Sequence, residues 1–438
     1  MINFVLYFAF LFVIFWIIKK WNFFHHPDIS YKLTLFLFIS KMLASFFLFF
    51  IYTNFYPNNR LNNDIFKYYD DGQVMYQAIY DSPSNYIRML TGIGDSKTEI
   101  IEQYYKKMNF WIKPIDYEIV NENKTIIRLN AFFSLFTLQN YFINTLLFVF
   151  LSFIGLFALF KVLSNYFSQN KLILVLFVFL MPSTIFWSSA ILKESLVFFS
   201  LGLLIYFFDK LLKTFSISNF LLFILFSIAL SFSKMYIFIL IIPGLISLIL
   251  IKVLPNIKPW LIVLSIHLLI ILLYFNSEYF LPYNFSEITV AKQHDFINLI
   301  HHFNVPVGSK IEIPLLSDSI YSFIQYSPNA LINSLFRPFL IEAHNLTSLM
   351  AAIENTFILF LIILIPIFFR KNKFNQWMWF SLSFCIMLFI LIGLTTPVLG
   401  ALVRYKVPAF PFLLFLLINF IDFEKIHTKI KSIWKKQY

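Results

Sequence analysis

The sequence predicts an all-α polytopic membrane protein, and three observations predict it. Hydrophobic residues make up 60% of the chain and charged residues 13%, where a soluble domain is roughly 25% charged. Apolar runs long enough to cross a bilayer, about 17 to 25 residues, recur along the whole length. Lysine and arginine gather in the short connections between those runs, as they do at cytoplasmic helix ends. The net charge of +12 is therefore assigned to membrane topology and not to nucleic-acid binding. The single cysteine, Cys385, lies inside an apolar run, which excludes a disulfide framework and a thiolate metal site.

Taken in order, about eleven transmembrane helices are expected. Residues 2–18 form the first. Lys19 and Lys20 follow its apolar stretch instead of preceding it, and it lacks a small-residue cleavage site, so it reads as a span and not as a signal peptide. Residues 33–52 form the second, with Lys41 inside. After a long connection come 140–160, 171–187, 194–209, 219–233, 235–251 and 260–275, the last holding His267. A second long connection precedes 355–369, 377–396 and 407–421. Lys41 and His267 are candidates for function because polar groups inside a membrane are expensive, although Lys41 is placed to snorkel inward.

The basic residues set the orientation. With the N-terminus outside, the inner segments are 19–32, 161–171, 210–218, 252–259, 370–376 and the tail from 422, and they hold half of the 34 lysines and arginines. The outer segments hold nearly as many, diluted over two long loops. The expected topology is N-out and C-in, with extracytoplasmic loops at 53–139 and 276–354. Loops this long carry structure or function. In the first, Ile100, Ile101, Tyr104, Tyr105 and Met108 recur at helical spacing, which predicts an amphipathic helix in the membrane interface. In the second, the apolar stretch 327–340, interrupted by Arg337 and Pro338, is expected on the membrane surface.

The outer ends carry the candidate chemistry. Asp70 and Asp71 begin Asp-Asp-Gly, which suits a solvated turn; the alternative is a general base that takes the proton of a sugar hydroxyl. Tyr76 and Tyr80 follow on one helical face, as a wall for sugar stacking. Trp187 reads as an interface anchor. Lys193 and Glu194 open a span, where glutamate fits the helix dipole and lysine opposes it. That lysine calls for a bound anion or a neighbouring carboxylate. Arg404 and Lys406 are expected just outside the last span and, with Arg337, suit a phosphate gripped by a guanidinium fork, or lipid headgroups reached by snorkelling. His294, His301 and His302 share one loop, without the carboxylate partners that a metal site needs. No cofactor is called for.

Carboxylates and cations at one membrane face suit a lipid-linked phosphate donor: the base activates the acceptor while cations stabilise the leaving phosphate. YYDDGQVMYQA, at 68–78, resembles the start of the first extracytoplasmic loop of the GT-C class of integral membrane glycosyltransferases. PSTIFWSSAILKES and RYKVPAFPF resemble stretches of bacterial surface-polysaccharide assembly proteins. The GT-C resemblance implies a polyprenyl phosphate-linked sugar donor, a glycan or lipid-linked acceptor, and an active site on the periplasmic or exterior face of the bacterial inner membrane. Here the acidic loop follows the second span, so an extra N-terminal span is implied. Two rivals stand beside it. A repeat-unit polymerase would place its site on Arg337 and Arg404, and a lipid-linked glycan flippase would need charges deep in several spans.

Overall fold

A computed structural model describes residues 2–55, 63–112, 121–302, 309–371 and 374–437. It is 80% helical, and extended pairing among the described residues is confined to isolated bridges such as Lys310–Val398 and Phe369–Ile421. The helices are α1 (Ile2–Lys20), α2 (Tyr31–Asn54), α3 (Asp64–Asp81), α4 (Pro83–Thr91), α5 (Thr98–Gln103), α6 (Glu122–Thr137), α7 (Tyr141–Asn165), α8 (Lys171–Phe179), α9 (Pro182–Trp187), α10 (Lys193–Lys213), α11 (Ile217–Ser233), α12 (Met235–Val253) and α13 (Pro259–Phe275). There follow α14 (Phe285–His302), α15 (Ile320–Phe336), α16 (Leu346–Ile367), α17 (Gln376–Thr395), α18 (Leu399–Lys406), α19 (Phe410–Asn419) and α20 (Phe423–Gln437).

Among the described residues, eight helical stretches are long and apolar enough to cross a membrane, which makes the chain an all-α, multi-pass membrane protein. Two further expected spans appear as the shorter apolar helices α11 and α13. The expected span at 171–187 is broken into α8, nine residues long, and α9. Pro182 explains the break: it lacks the N–H that would bond back to Val178, and it disfavours helix at Met181. The last span also differs. Helix extends back to Leu399 and runs through a 3₁₀ turn at Val407–Ala409. Arg404 and Lys406, expected outside the span, therefore lie within it.

The chain forms two compact units, residues 1–162 with 185–238, and residues 163–184 with 239–438. In the first, α7 and α10 cross at two glycines. A Cβ on Gly155 would lie 1.9 Å from the Phe198 carbonyl oxygen, and one on Gly202 would lie 2.0 Å from the Gly155 oxygen, so only glycine allows the backbones to touch. The first long loop folds on itself. α3 packs along α6, and Asp-Asp-Gly lies inside α3, which overturns the turn reading. Gly72 is a packing glycine: its Cβ would come within 2.7 Å of the Asn130 Cβ. Residues 100–112 also differ from expectation. Of the expected stripe, Ile100, Tyr104, Tyr105 and Met108 are buried, together with Trp111, while Ile101 is half-buried, so most of the stripe is the loop's own core and not an interfacial face.

In the second unit α15 packs on α17, and α17 and α8 pack on α19. The stretch expected on the membrane surface is thus the end of α15, docked on a candidate span. The His267 ring Nε2 lies 2.7 Å from Ser383 Oγ, tying α13 to α17. Three contacts join connecting segments that the basic-residue pattern assigns to one side. Ile311 N donates to the Pro397 carbonyl at 2.8 Å. Asn375 Nδ2 donates to the Tyr166 carbonyl at 3.1 Å, and Lys161 Nζ to the Phe23 carbonyl at 2.7 Å.

Candidate functional site

The acidic pair divides. Asp71 is fully buried, and its carboxylate accepts from Asn109 N at 2.7 Å, Asn109 Nδ2 at 3.0 Å and Phe110 N at 2.8 Å. Burial pushes its carboxyl up, the bonds from Asn109 and Phe110 oppose that, and the neighbouring Asp70 charge adds to it. Asp71 is an anchor that pins the 109–112 segment to α3. Asp70, about 100° further round the helix, is half-buried. Tyr76 is buried while Tyr80 is 73% exposed, so the pair does not form a wall of one aspect. Their hydroxyls are 3.5 Å apart, and that bond together with burial pushes Tyr76 up to about 12.

The pinned segment leads to the start of α6. Asn123 Nδ2 donates to the Phe110 carbonyl at 3.2 Å and Asn123 Oδ1 accepts from Tyr68 Oη at 3.1 Å. Lys67 lies over the Phe110 ring at 4.8 Å, while Lys124 and Arg128 flank Trp111, each at 5.2 Å. Trp111 stacks on Tyr105 at 4.3 Å, and Arg128 pairs with Asp95 at 3.1 Å.

At Glu122 the starts of three helices converge. One Glu122 oxygen accepts from Lys193 Nζ at 3.2 Å and the other from Met235 N at 3.1 Å. Glu194 accepts from Lys234 Nζ at 2.8 Å, and both side chains are at most 3% exposed. The lysine that opposes the α10 dipole is thus held by a carboxylate, one of the two partners the sequence called for. Sequence reasoning singled out Lys193 and Glu194 and missed Glu122 and Lys234. Lys234 carried a signal: it is one charge between the apolar runs 219–233 and 235–251. Glu122 carried none beyond its place at a helix start.

Lys41 is fully buried and does not snorkel. Its Nζ donates to the Ser188 carbonyl at 3.1 Å and to Ser188 Oγ at 2.5 Å, and Ser152 Oγ donates to the same carbonyl at 2.6 Å. Together they satisfy the unwound backbone between α9 and α10, at the residue that follows Trp187. Non-helical backbone inside a membrane requires such partners.

In the second unit the structure brings Arg337 and Lys406 together and gives both to the protein itself. The Arg337 fork is held by Glu342, with Nε to Oε1 at 2.9 Å and a further bond from Nη2. Lys406 is fully buried, and its three protons go to the carbonyls of Ser334 at 2.9 Å and Arg337 at 3.1 Å and to Asn355 Oδ1 at 2.8 Å. It clamps the C-terminal carbonyls of α15, where a cation suits the helix dipole, and has no proton left for a phosphate. Arg404 lies half-buried two residues earlier on α18. Glu354, which sequence reasoning missed because the span was begun one residue later, is buried and accepts from Ser183 N at 3.1 Å and from Ser183 Oγ. His294 bonds the Leu316 carbonyl at 3.1 Å; the side chains of His301 and His302 lie outside the described residues. Among the described residues no three His, Cys, Asp or Glu side chains gather as metal ligands.

Comparison with family models, with curated proteins and with solved structures finds no match for this chain.

Proposed function

We propose that the chain is a membrane glycosyltransferase, transferring a sugar from a polyprenyl phosphate-linked donor to an extracytoplasmic glycan or lipid-linked acceptor. The observation that carries this reading is the division of the aspartate pair. Asp71 locks α3 to the 109–112 segment, and Asp70 is the half-buried carboxylate beside it on that fixed helix. In this mechanism Asp70 takes the proton of the acceptor hydroxyl as its oxygen attacks the anomeric carbon. The bond from that carbon to the donor phosphate breaks, and the phosphate leaves with the electron pair. The same unit joins the starts of α6, α10 and α12, with Lys193 and Lys234 each paired to a carboxylate; a donor phosphate would be held there by taking the place of Glu122 on Lys193, the less buried of the two lysines, because helix N-termini and lysines both stabilise developing negative charge. The basic-residue pattern assigns this face to the exterior, consistent with an active site facing the periplasm or cell exterior.

The polymerase alternative rests on Arg337 and Arg404, and the engagement of Arg337 by Glu342 weighs against it. Mass spectrometry of lipid-linked oligosaccharides from a strain lacking the protein tests the reading. A repeat unit short of one sugar is the expected result. Complete single repeats accumulating on lipid, with no long chains, would overturn it in favour of a polymerase.

A further inference from the structure

We infer that α20 is a docking surface for the anionic phospholipid headgroups of the leaflet at which α19 ends. Three residues separate α19 from α20, and they are pinned. Arg370 N donates to the Phe420 carbonyl and Asp422 N to the Phe368 carbonyl, each at 2.9 Å. Gln169 Nε2 bonds the carbonyls of Ile418 at 3.1 Å and Ile421 at 2.9 Å, and Gln169 Oε1 accepts from Phe423 N at 3.2 Å. Two candidate spans, one ending with α16 and one with α19, stop at this junction. A 15-residue helix, about 22 Å long at 1.5 Å per residue, therefore begins at the lipid–water boundary with no slack.

The sequence of α20 suits that boundary. Apolar residues stand at 423, 426, 430, 433 and 434, one stripe of a helix. Lysines stand at 425, 429, 431, 435 and 436, and Glu424 is the lone acid of the helix. Among the described side chains, Lys425, Lys429 and Lys431 are exposed while Phe423 and Ile426 are half-buried; Lys425 stands 3.1 Å from Asp422 at the surface and Lys429 lies 5.3 Å over the Phe368 ring. At the junction, Arg370 Nη1 is buried without a hydrogen-bond partner among the described residues. A short basic amphipathic helix fixed at a bilayer surface lays its apolar stripe into the acyl boundary and its lysines against anionic headgroups. A nucleic acid or an acidic protein would match the lysines but leave the stripe uncovered. The inference does not depend on the glycosyl-transfer reading.

Hydrogen exchange of amides 423–437 tests it, with the full-length protein in nanodiscs of phosphatidylcholine alone or mixed with phosphatidylglycerol. Exchange is expected to slow by about fivefold for each lysine engaged when phosphatidylglycerol is present. Salt near 1 M should reverse the slowing, and the variant Lys425→Gln/Lys429→Gln/Lys431→Gln should reduce it by about fivefold for each engaged lysine removed. Equal exchange in the two lipid mixtures overturns the inference, and this comparison needs no variant. Slowing undiminished in the triple variant overturns it as well. Unchanged exchange in α16 and α19 identifies a variant that is still folded.

Discussion

Two adjacent aspartates on α3 differ in burial, and substitution should separate their roles. Asp71→Ala removes the buried carboxylate that accepts from the Asn109 and Phe110 amides, hydrogen bonds to a charged group being worth about 1.5–3 kcal/mol each, so a marked fall in melting temperature is expected; an unchanged Tm would show that Asp71 is no anchor. Asp70→Asn should lose sugar transfer with the protein still folded in the membrane, and full transfer in that variant would remove Asp70 as the base. The sequence allowed the inference that neighbours 100° apart on a helix cannot share one role. It did not say which is buried, because Asn109 is 38 residues away. Glu342 gives a pH signature. The hydrogen bond from Arg337 is the first cause that holds its carboxyl below the usual 4.5. A depressed folded value adds stability above the unfolded value, and that stability is lost as pH falls through the folded one. The wild type should exceed Glu342→Gln in stability above about pH 4.5 and lose that margin on acidification; parallel pH curves would show that the pair contributes nothing.

At the scale of elements, the spans were legible because hydropathy and length are local properties. The break in 171–187 was not foreseen although its cause, Pro182, is local, and the burial of residues 100–112 did not follow from anything local, since a stripe at helical spacing suits a core as well as an interface. Backbone contact between α7 and α10 was equally hidden, because glycines inside apolar runs carry no mark of their partner. Gly155→Leu should prevent that crossing, and a folded, monodisperse detergent-solubilised product would contradict the contact. Gly72→Ala asks less, a shift of α3 against α6 of the overpacking kind that costs about 1–3 kcal/mol, readable as a drop in Tm with the protein still inserted.

Over the whole molecule, the fold class was legible from composition, and the candidate site only in part. Lys193 and Glu194 were found because a lysine at a helix start is locally wrong; their partners Glu122 and Lys234 come from distant stretches. If the three joined helix starts hold the donor phosphate, Lys193→Gln should lower kcat/KM for transfer by about ten- to a hundredfold, a charge-assisted hydrogen bond being worth about 1.5–3 kcal/mol. Unchanged kcat/KM would leave the cluster as a strut. Lys41 carries a different consequence, one of timing. Its acceptor, Ser188, lies 147 residues further along the chain, so at about 5–20 residues per second the ribosome needs roughly 7–30 s to supply it. Through that interval α2 holds a lysine whose final partner does not yet exist, and the insertion machinery has to shelter it or let it reach water. A nascent chain stalled before residue 188 should expose Lys41 to aqueous amine reagents, and the finished protein should not.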